Sequence, residues 1–416
     1  MEKYRILGGN PLSGEIKVGG AKNAALKMLA ASILSTETCK IDNMPQIEDI
    51  KRMAEIIEDL GAKISQSESS MTIDPSGISH SSPNSKLVVK LRSSIMLAGP
   101  LLARFGQVTM SHPGGCIIGK RPVDLFLSSF KALGAEITDG PESFTMTASK
   151  LTGAKIILPK VSVTVTESLM MTACLAEGVT TIVNAAMEPE IPSLADYLNS
   201  CGAKISGAGT PIITIEGVKS LSGNTHTLIP DRIEAGSFVI MGLATDSEIK
   251  ITHCNPSHLD SVIVTLKNAG ANLEIGDNYI ITKPSTIKSI NIQTHEYPGF
   301  PTDLQAPFTI LMTQASGQSL IHEIIFEGRL FYTDKLSAMG ANIIMCDPHR
   351  VIVGGPTKLT GKTLESPDLR AGMALVIAGL VAKGETIIEN IYQIERGYQN
   401  VMDRLQKLGA KIEKIT

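Results

Sequence analysis

Two hydrophobic patterns recur along the chain. In the first, an almost wholly apolar stretch passes through a turn into a strand-like alternation. Met171-Thr172-Ala173-Cys174-Leu175-Ala176-Glu177-Gly178 leads in this way to Thr180-Thr181-Ile182-Val183, and residues 375–384 lead to Thr386-Ile387-Ile388. Residues 28–41, 98–110, 238–251 and 308–321 repeat the phrase. A helix that is apolar nearly all round is predicted to be buried. In the second pattern, an amphipathic stretch such as residues 50–60 ends in Leu-Gly-Ala and starts a new strand. Such a helix should face outward, with one side on the core.

The second pattern carries a fixed signature. It reads Leu60-Gly61-Ala62-Lys63-Ile64, Leu133-Gly134-Ala135-Glu136-Ile137 and Cys201-Gly202-Ala203-Lys204-Ile205. It returns as Ala269-Gly270-Ala271-Asn272-Leu273, Met339-Gly340-Ala341-Asn342-Ile343 and Leu408-Gly409-Ala410-Lys411-Ile412. The glycines are 73, 68, 68, 70 and 69 residues apart. Glycine just past a helix takes the left-handed conformation that other residues resist. Six units of two helices and several strands predict two similar α/β domains of three units each, with apolar helices inside and sheets outside. A solenoid is the other reading of a repeat, but this unit exceeds the usual 20–45 residues. Strands at Arg5-Ile6-Leu7 and Glu15-Ile16-Lys17-Val18 precede the first unit, and the natural breaks are Gly19-Gly20-Ala21-Lys22 and Leu228-Ile229-Pro230-Asp231. A cleft between two domains is a usual place for a ligand.

Composition narrows the function. Of 416 residues, 43% are hydrophobic and 19% charged, which excludes a disordered chain. A net charge of −3, 4% aromatics and no Trp argue against a nucleic-acid partner. The longest apolar run, residues 371–382, is short of the roughly 20 residues a membrane span needs. Met1-Glu2-Lys3-Tyr4-Arg5 leads into no apolar leader segment. Cys39, Cys116, Cys174, Cys201, Cys254 and Cys346 form no CxxC pair, as expected of reduced thiols in the cytoplasm.

Several segments could carry chemistry. Gly114-Gly115-Cys116-Ile117-Ile118-Gly119-Lys120-Arg121 matches the first seven positions of a phosphate-binding P-loop, but Arg121 stands where Ser or Thr would hold Mg²⁺. The alternative concerns Cys116, whose thiol near Lys120 and Arg121 could ionise easily and act as nucleophile or acid, or could be inert. Basic residues sit beside glycines or at loop ends: Lys22, Arg92, Arg121, Arg232, Arg370 and Arg396. Arginine suits forked recognition of phosphate and carboxylate, so a fold that gathers these residues would bind a strongly anionic substrate. Each alone is equally a solvated surface charge. Asp303, in Phe300-Pro301-Thr302-Asp303-Leu304, is a candidate general base or a helix cap. His253-Cys254-Asn255-Pro256-Ser257-His258 offers three ligands with no fourth nearby, a poor zinc site.

Taken together, Gly20-Ala21-Lys22-Asn23-Ala24-Ala25, Pro113 to Leu125, Ile229-Pro230-Asp231-Arg232-Ile233-Glu234, Phe300-Pro301-Thr302-Asp303, Phe326-Glu327-Gly328-Arg329, Asp368-Leu369-Arg370 and Glu395-Arg396-Gly397-Tyr398 resemble the enolpyruvyl transferases that act on UDP-N-acetylglucosamine. The resemblance covers essentially the whole chain. It implies a pair of inverse α/β barrels of three units each, one from residues 1–21 with 230–416 and the other from 22–229, with the active site in the cleft between them. It implies transfer of the enolpyruvyl group of phosphoenolpyruvate to the sugar nucleotide, by addition then elimination of phosphate, at the first committed step of peptidoglycan synthesis. Metal and organic cofactors are not implied, and the chain would be a monomer or weak homo-oligomer.

The resemblance also implies residue roles. Lys22 and Asn23 would contact both substrates. Arg92 and the run Arg121, Pro122, Val123, Asp124 and Leu125 would hold substrate, the run gripping the uridine end. Lys160, Val161, Ser162 and Val163 would line the nucleotide site with Ile325. Asp303 would be the base toward the sugar 3-hydroxyl. Cys116 would donate the proton, could form an adduct with phosphoenolpyruvate, and would be the residue attacked by fosfomycin. Arg121, Arg370 and Arg396 would neutralise phosphate and carboxylate. Thr164, Gly328, Pro367 and Gln399 depart from the family's usual Gly, Asn, Thr and Glu. Of these, Thr164 touches the nucleotide site and none removes a catalytic group. Two competing readings are the sister transferase acting on shikimate 3-phosphate and a silent, regulatory paralogue.

Overall fold

The computed structural model describes residues 2–114 and 123–416. Five repeats share one order of elements, a buried helix, a strand, an outer helix and a hairpin, and the sixth keeps that order with a single strand in place of the hairpin. The first unit runs Lys22–Ser32, Cys39–Asp42, Glu48–Asp59, Lys63–Gln66 and Ser70–Asp74. The buried helices of the other five are Ala98–Phe105, Val163–Ala173, Arg232–Ala244, Gln305–Gln314 and Leu369–Val381. Their burial follows from their sequences. All thirteen residues of Arg232–Ala244 are buried, as are eleven of the thirteen in Leu369–Val381. The outer helices are amphipathic: Glu48–Asp59 buries Ile50, Met53, Ile56 and Ile57 and shows its charges to solvent.

The signature glycines do what their position predicts. Gly61, Gly134, Gly202, Gly270, Gly340 and Gly409 all have φ between 90° and 111°, where a Cβ would clash with the following carbonyl. They turn the chain from the outer helix directly into the hairpin. A second device closes the first strand of several repeats. Asn43, Asn184 and Asn390 adopt φ of 56° to 62°. Each donates its side-chain amide to a backbone carbonyl of the neighbouring segment, at Leu228, Leu158 and Ser366.

The sheets show how the chain closes on itself. In four repeats the first strand lies between a parallel edge strand and the second strand of its own hairpin. The edge strands are Thr225–Thr227, Lys155–Ile157, Ser13–Lys17 and Ile292–Gln293. The second repeat's sheet has three strands among the described residues. In the sixth repeat the hairpin has only one strand of its own, Lys411–Ile415. The missing place is taken by Lys3–Leu7, with Ile6 opposite Ile412 on one side and Thr386 on the other. The first strand of the chain therefore finishes the last repeat. Contacts accordingly divide the chain into two compact units, one built of Met1–Gly19 with Pro230–Thr416 and the other of residues 20–114 with 123–229.

Each unit has its own core, a single cluster of buried side chains from three repeats. Large-to-small changes in such cores cost about 2–5 kcal/mol each. No helix among the described residues is long and apolar enough to cross a membrane.

Candidate active site

The repeat puts most of the described candidates at one kind of place, the N-terminal ends of the buried helices. Lys22 is the first residue of its helix and Asn23 the second. Arg92 opens the 3₁₀ turn Arg92–Leu97 that runs into Ala98–Phe105. Lys160, Val161 and Ser162 lead into Val163–Ala173, and Ser162 caps that helix by accepting from Val165 N. Arg232 and Arg370 stand in the first turns of their helices, which Asp231 and Asp368 cap with two hydrogen bonds each. Asp303 lies in the 3₁₀ turn Thr302–Leu304 ahead of Gln305–Gln314. Helix N-termini carry partial positive charge and unpaired N–H groups, so this end of each unit favours anions before any side chain is counted.

The remaining candidates lie elsewhere. Val123, Asp124 and Leu125 open the outer helix Asp124–Lys131. Ile325 follows the strand Gly317–His322 in a loop. Arg396 ends the short helix Tyr392–Glu395, where it donates to Gln393 Oε1 at 3.0 Å. Cys116, Arg121 and Pro122 lie outside the described residues.

In the unit that ends the chain, Asp303 is the centre of a charged network. Its Oδ1 accepts from Arg329 Nη1 at 2.7 Å. Its Oδ2 accepts from Arg370 Nε at 3.0 Å, with Arg370 Nη2 also at 3.0 Å. The arginine side chains are 6% and 5% exposed, the carboxylate 24%. Burial pushes the carboxyl up, but the Arg370 and Arg329 guanidiniums, with Arg232 further off, hold Asp303 well below the usual carboxylate range. Arg370 Nη1 donates to Tyr398 Oη at 3.3 Å, and that hydroxyl meets Ser237 Oγ at 3.0 Å.

A second carboxylate builds the frame. Glu323 is fully buried. Its Oε1 accepts from Thr294 Oγ1, Ile325 N and Phe326 N at 3.0, 2.8 and 3.1 Å, and its Oε2 from Thr302 Oγ1 at 2.8 Å. Thr302 Oγ1 in turn accepts from Arg329 Nη1 at 2.9 Å. One side chain thus fixes the loop holding Ile325, the turn holding Asp303 and the guanidinium between them. Sequence reading assigned no role to Glu323 or Arg329. The repeat holds a signal for Glu323: it stands just past the first strand of its unit, where Asn43, Asn184 and Asn390 stand in theirs.

The other unit pairs its charges along its helices. Lys22 Nζ lies 2.6 Å from Asp49 Oδ2. Deeper in, Lys27 Nζ is 3.3 Å from Glu167 Oε2, with side chains 10% and 0% exposed. Lys27 is the sixth residue of its helix and Glu167 the fifth of its own, so the pair ties the middles of two buried helices together. Arg92 Nη1 donates to Pro113 O at 3.3 Å. A cavity of about 470 Å³ in this unit lies toward the C-terminal ends of its buried helices, beside Gly106 and Gly178, and none of the predicted residues lines it.

No group of three or more His, Cys, Asp or Glu among the described residues is set to hold a metal ion. In the His253–His258 segment, Cys254 is buried with its thiol toward Ile251 O, and His258 Nε2 meets Asn255 Nδ2 at 3.0 Å. The unit that ends the chain therefore presents fixed positive charge, an ion-paired carboxylate and helix N-termini, a set that favours an anion.

Comparison with known proteins agrees with this chemistry. The family described as EPSP synthase (3-phosphoshikimate 1-carboxyvinyltransferase) matches residues 6–405. Curated relatives named UDP-N-acetylglucosamine 1-carboxyvinyltransferase include one from Desulfosudis oleivorans, 44% identical with all of both chains covered. Another, from Vibrio campbellii, is 45% identical over 100% of this chain and 99% of the relative. Among solved structures, the enolpyruvyl transferase NikO from Streptomyces tendae superposes with a TM-score of 0.91 at 25% identity, covering 100% of this chain and 99% of that one. EPSP synthase from Acinetobacter baumannii gives a TM-score of 0.76 at 22% identity, with all of both chains covered, a likeness of fold. The chain thus has the fold of two inverse α/β barrels, each of three repeats.

Proposed function

The chain belongs to the enolpyruvyl transferase family that includes EPSP synthase, and on that premise we propose that it transfers the enolpyruvyl group of phosphoenolpyruvate to the 3-hydroxyl of UDP-N-acetylglucosamine. The observation that carries this reading is the full-length identity of 44–45% to relatives named for that activity. The anion-seeking helix ends support it. The product would enter peptidoglycan synthesis, and the setting would be the cytoplasm.

The chemistry is an addition followed by an elimination. The sugar O3 bonds to C2 of phosphoenolpyruvate, its proton passes to Asp303, and C3 gains a proton, the role assigned to Cys116. The C2–O bond to phosphate then breaks and C3 loses a proton, restoring the vinyl group. Negative charge must be held throughout, by Lys22, Arg121, Arg370 and Arg396. Preorganised cations are worth about 10²–10³-fold each in such a site. Asn23, Arg92, Val123 to Leu125, Lys160 to Val163 and Ile325 hold the sugar nucleotide.

The second reading, transfer to shikimate 3-phosphate, is the activity for which the matching family is named. One assay separates the two. Phosphate release from phosphoenolpyruvate is measured in chelated buffer with UDP-N-acetylglucosamine, with shikimate 3-phosphate and with neither. Release only with the sugar nucleotide is expected. Release only with shikimate 3-phosphate would move the assignment, and none from a folded protein would make it a silent paralogue.

A further inference from the structure

The state of Asp303 conflicts with its assigned work. A base that takes a proton from a hydroxyl needs a carboxylate whose charge is available. Here both oxygens are engaged, Oδ1 by Arg329 and Oδ2 by the Nε–Nη2 edge of Arg370. That edge is the part of a guanidinium that grips a phosphate or carboxylate in a fork. Its remaining nitrogen, Nη1, is on Tyr398. The carboxylate is also the most exposed of the three side chains.

We propose that Asp303 is an internal counter-anion in the free protein, and that an anionic substrate group must replace it on Arg370 and Arg329 before it can act as the base. The proposal rests on the transferase reading and deepens it, since it makes the phosphate-bearing substrate the switch for the base. Two arginines cannot give the same donors to Asp303 and to a ligand. Once a phosphate or carboxylate takes the Arg370 edge, Asp303 loses hydrogen bonds and gains a negative neighbour, and both changes raise its proton affinity. The other charges that face the group are fixed in sense. Arg232 adds positive charge from its own helix end, and Asp231 acts on Arg370 from the same place. Glu323 reaches the turn through Thr302, and Tyr398 lies on the far side of Arg370. None of them can substitute for the Arg370 fork.

Inorganic phosphate is the probe. Its affinity is measured by calorimetry at low ionic strength for the wild type, Asp303→Asn and the double variant Asp303→Asn with Arg370→Ala. Asp303→Asn should bind phosphate at least about tenfold more tightly than the wild type, because a competitor has been removed, although turnover is lost. The gain should vanish in the double variant. In the intact wild type, carbon-13 labelling of aspartate, with Asp303→Asn to assign the signal, should show the Asp303 carboxyl titrating at higher pH when phosphate is bound. Equal or weaker phosphate binding by a folded Asp303→Asn protein would overturn the proposal. So would an Asp303 titration that phosphate leaves unmoved, a measurement that needs no variant to bind. Neither readout requires turnover, so failure of the transferase reading would appear separately, as absent phosphate release with the sugar nucleotide.

Discussion

Asp303 and Glu167 are both carboxylates set among buried helices, one in each unit, and they hold charge in opposite ways. Glu167 is fully buried, and burial pushes it up to about 7 against the pull of Lys27, with Glu190 and Glu188 adding to the rise. The pull comes from one contact among the described residues, Lys27 Nζ 3.3 Å from Oε2, and burial outweighs it. Asp303 is less buried and meets two guanidiniums with aligned donors. An opposite charge nearby is therefore not enough. The number and aim of the donors decide whether a buried acid stays ionised.

The largest test removes donors from Asp303. Arg370→Ala should lower turnover about 10³-fold, the upper range for one preorganised cation. It should also cost about 2 kcal/mol of stability, reduced from the usual figure for a broken buried pair because the carboxylate is partly exposed. Phosphate release and urea unfolding read the two effects, and a change in stability alone would remove Arg370 from the reaction.

Next comes the frame. Glu323→Ala strands two backbone N–H groups and two threonine hydroxyls, so it should cost about 3–4 kcal/mol. Glu323→Gln keeps most acceptors and should cost well under half of that. Equal costs for the two variants would mean that volume, not hydrogen bonding, is what Glu323 supplies.

The smallest effect is a pH slope. The folded Glu167 binds a proton more tightly than the unfolded one. The wild type should therefore lose stability as pH rises from about 4.5 to about 7, with no further loss above that, by up to about 3 kcal/mol. Urea unfolding of Glu167→Gln should lack this slope, so its stability relative to wild type improves from pH 5 to pH 8. Parallel curves would show that Lys27 already keeps Glu167 ionised, and the contrast with Asp303 would fail.

Legibility followed the range of the interaction. The glycine signature and the apolar helices are local, and all six glycines and all the buried helices stand where the pattern put them. The cations were legible because they sit beside glycines or at loop ends, and two of them, Arg232 and Arg370, prove to follow a capping aspartate. The masking of Asp303 was not, because it depends on side chains 26 and 67 residues away. The place of Lys3–Leu7 in the sixth repeat was illegible from local pattern for the same reason: an alternation of apolar residues names a strand but not its neighbours.

That strand also sets a schedule. Lys3 and its partner Glu389 are 386 residues apart, so at about 5–20 residues per second a ribosome spends roughly 20–80 s between them. During that time the 20–229 unit, made in one piece, can finish folding. The strand carrying Tyr4 and Ile6, both buried in the finished sheet, waits as an open edge. Its two neighbours, Glu385–Glu389 and Lys411–Ile415, are both made late, so the sheet that buries it can close only after residue 411 has been added.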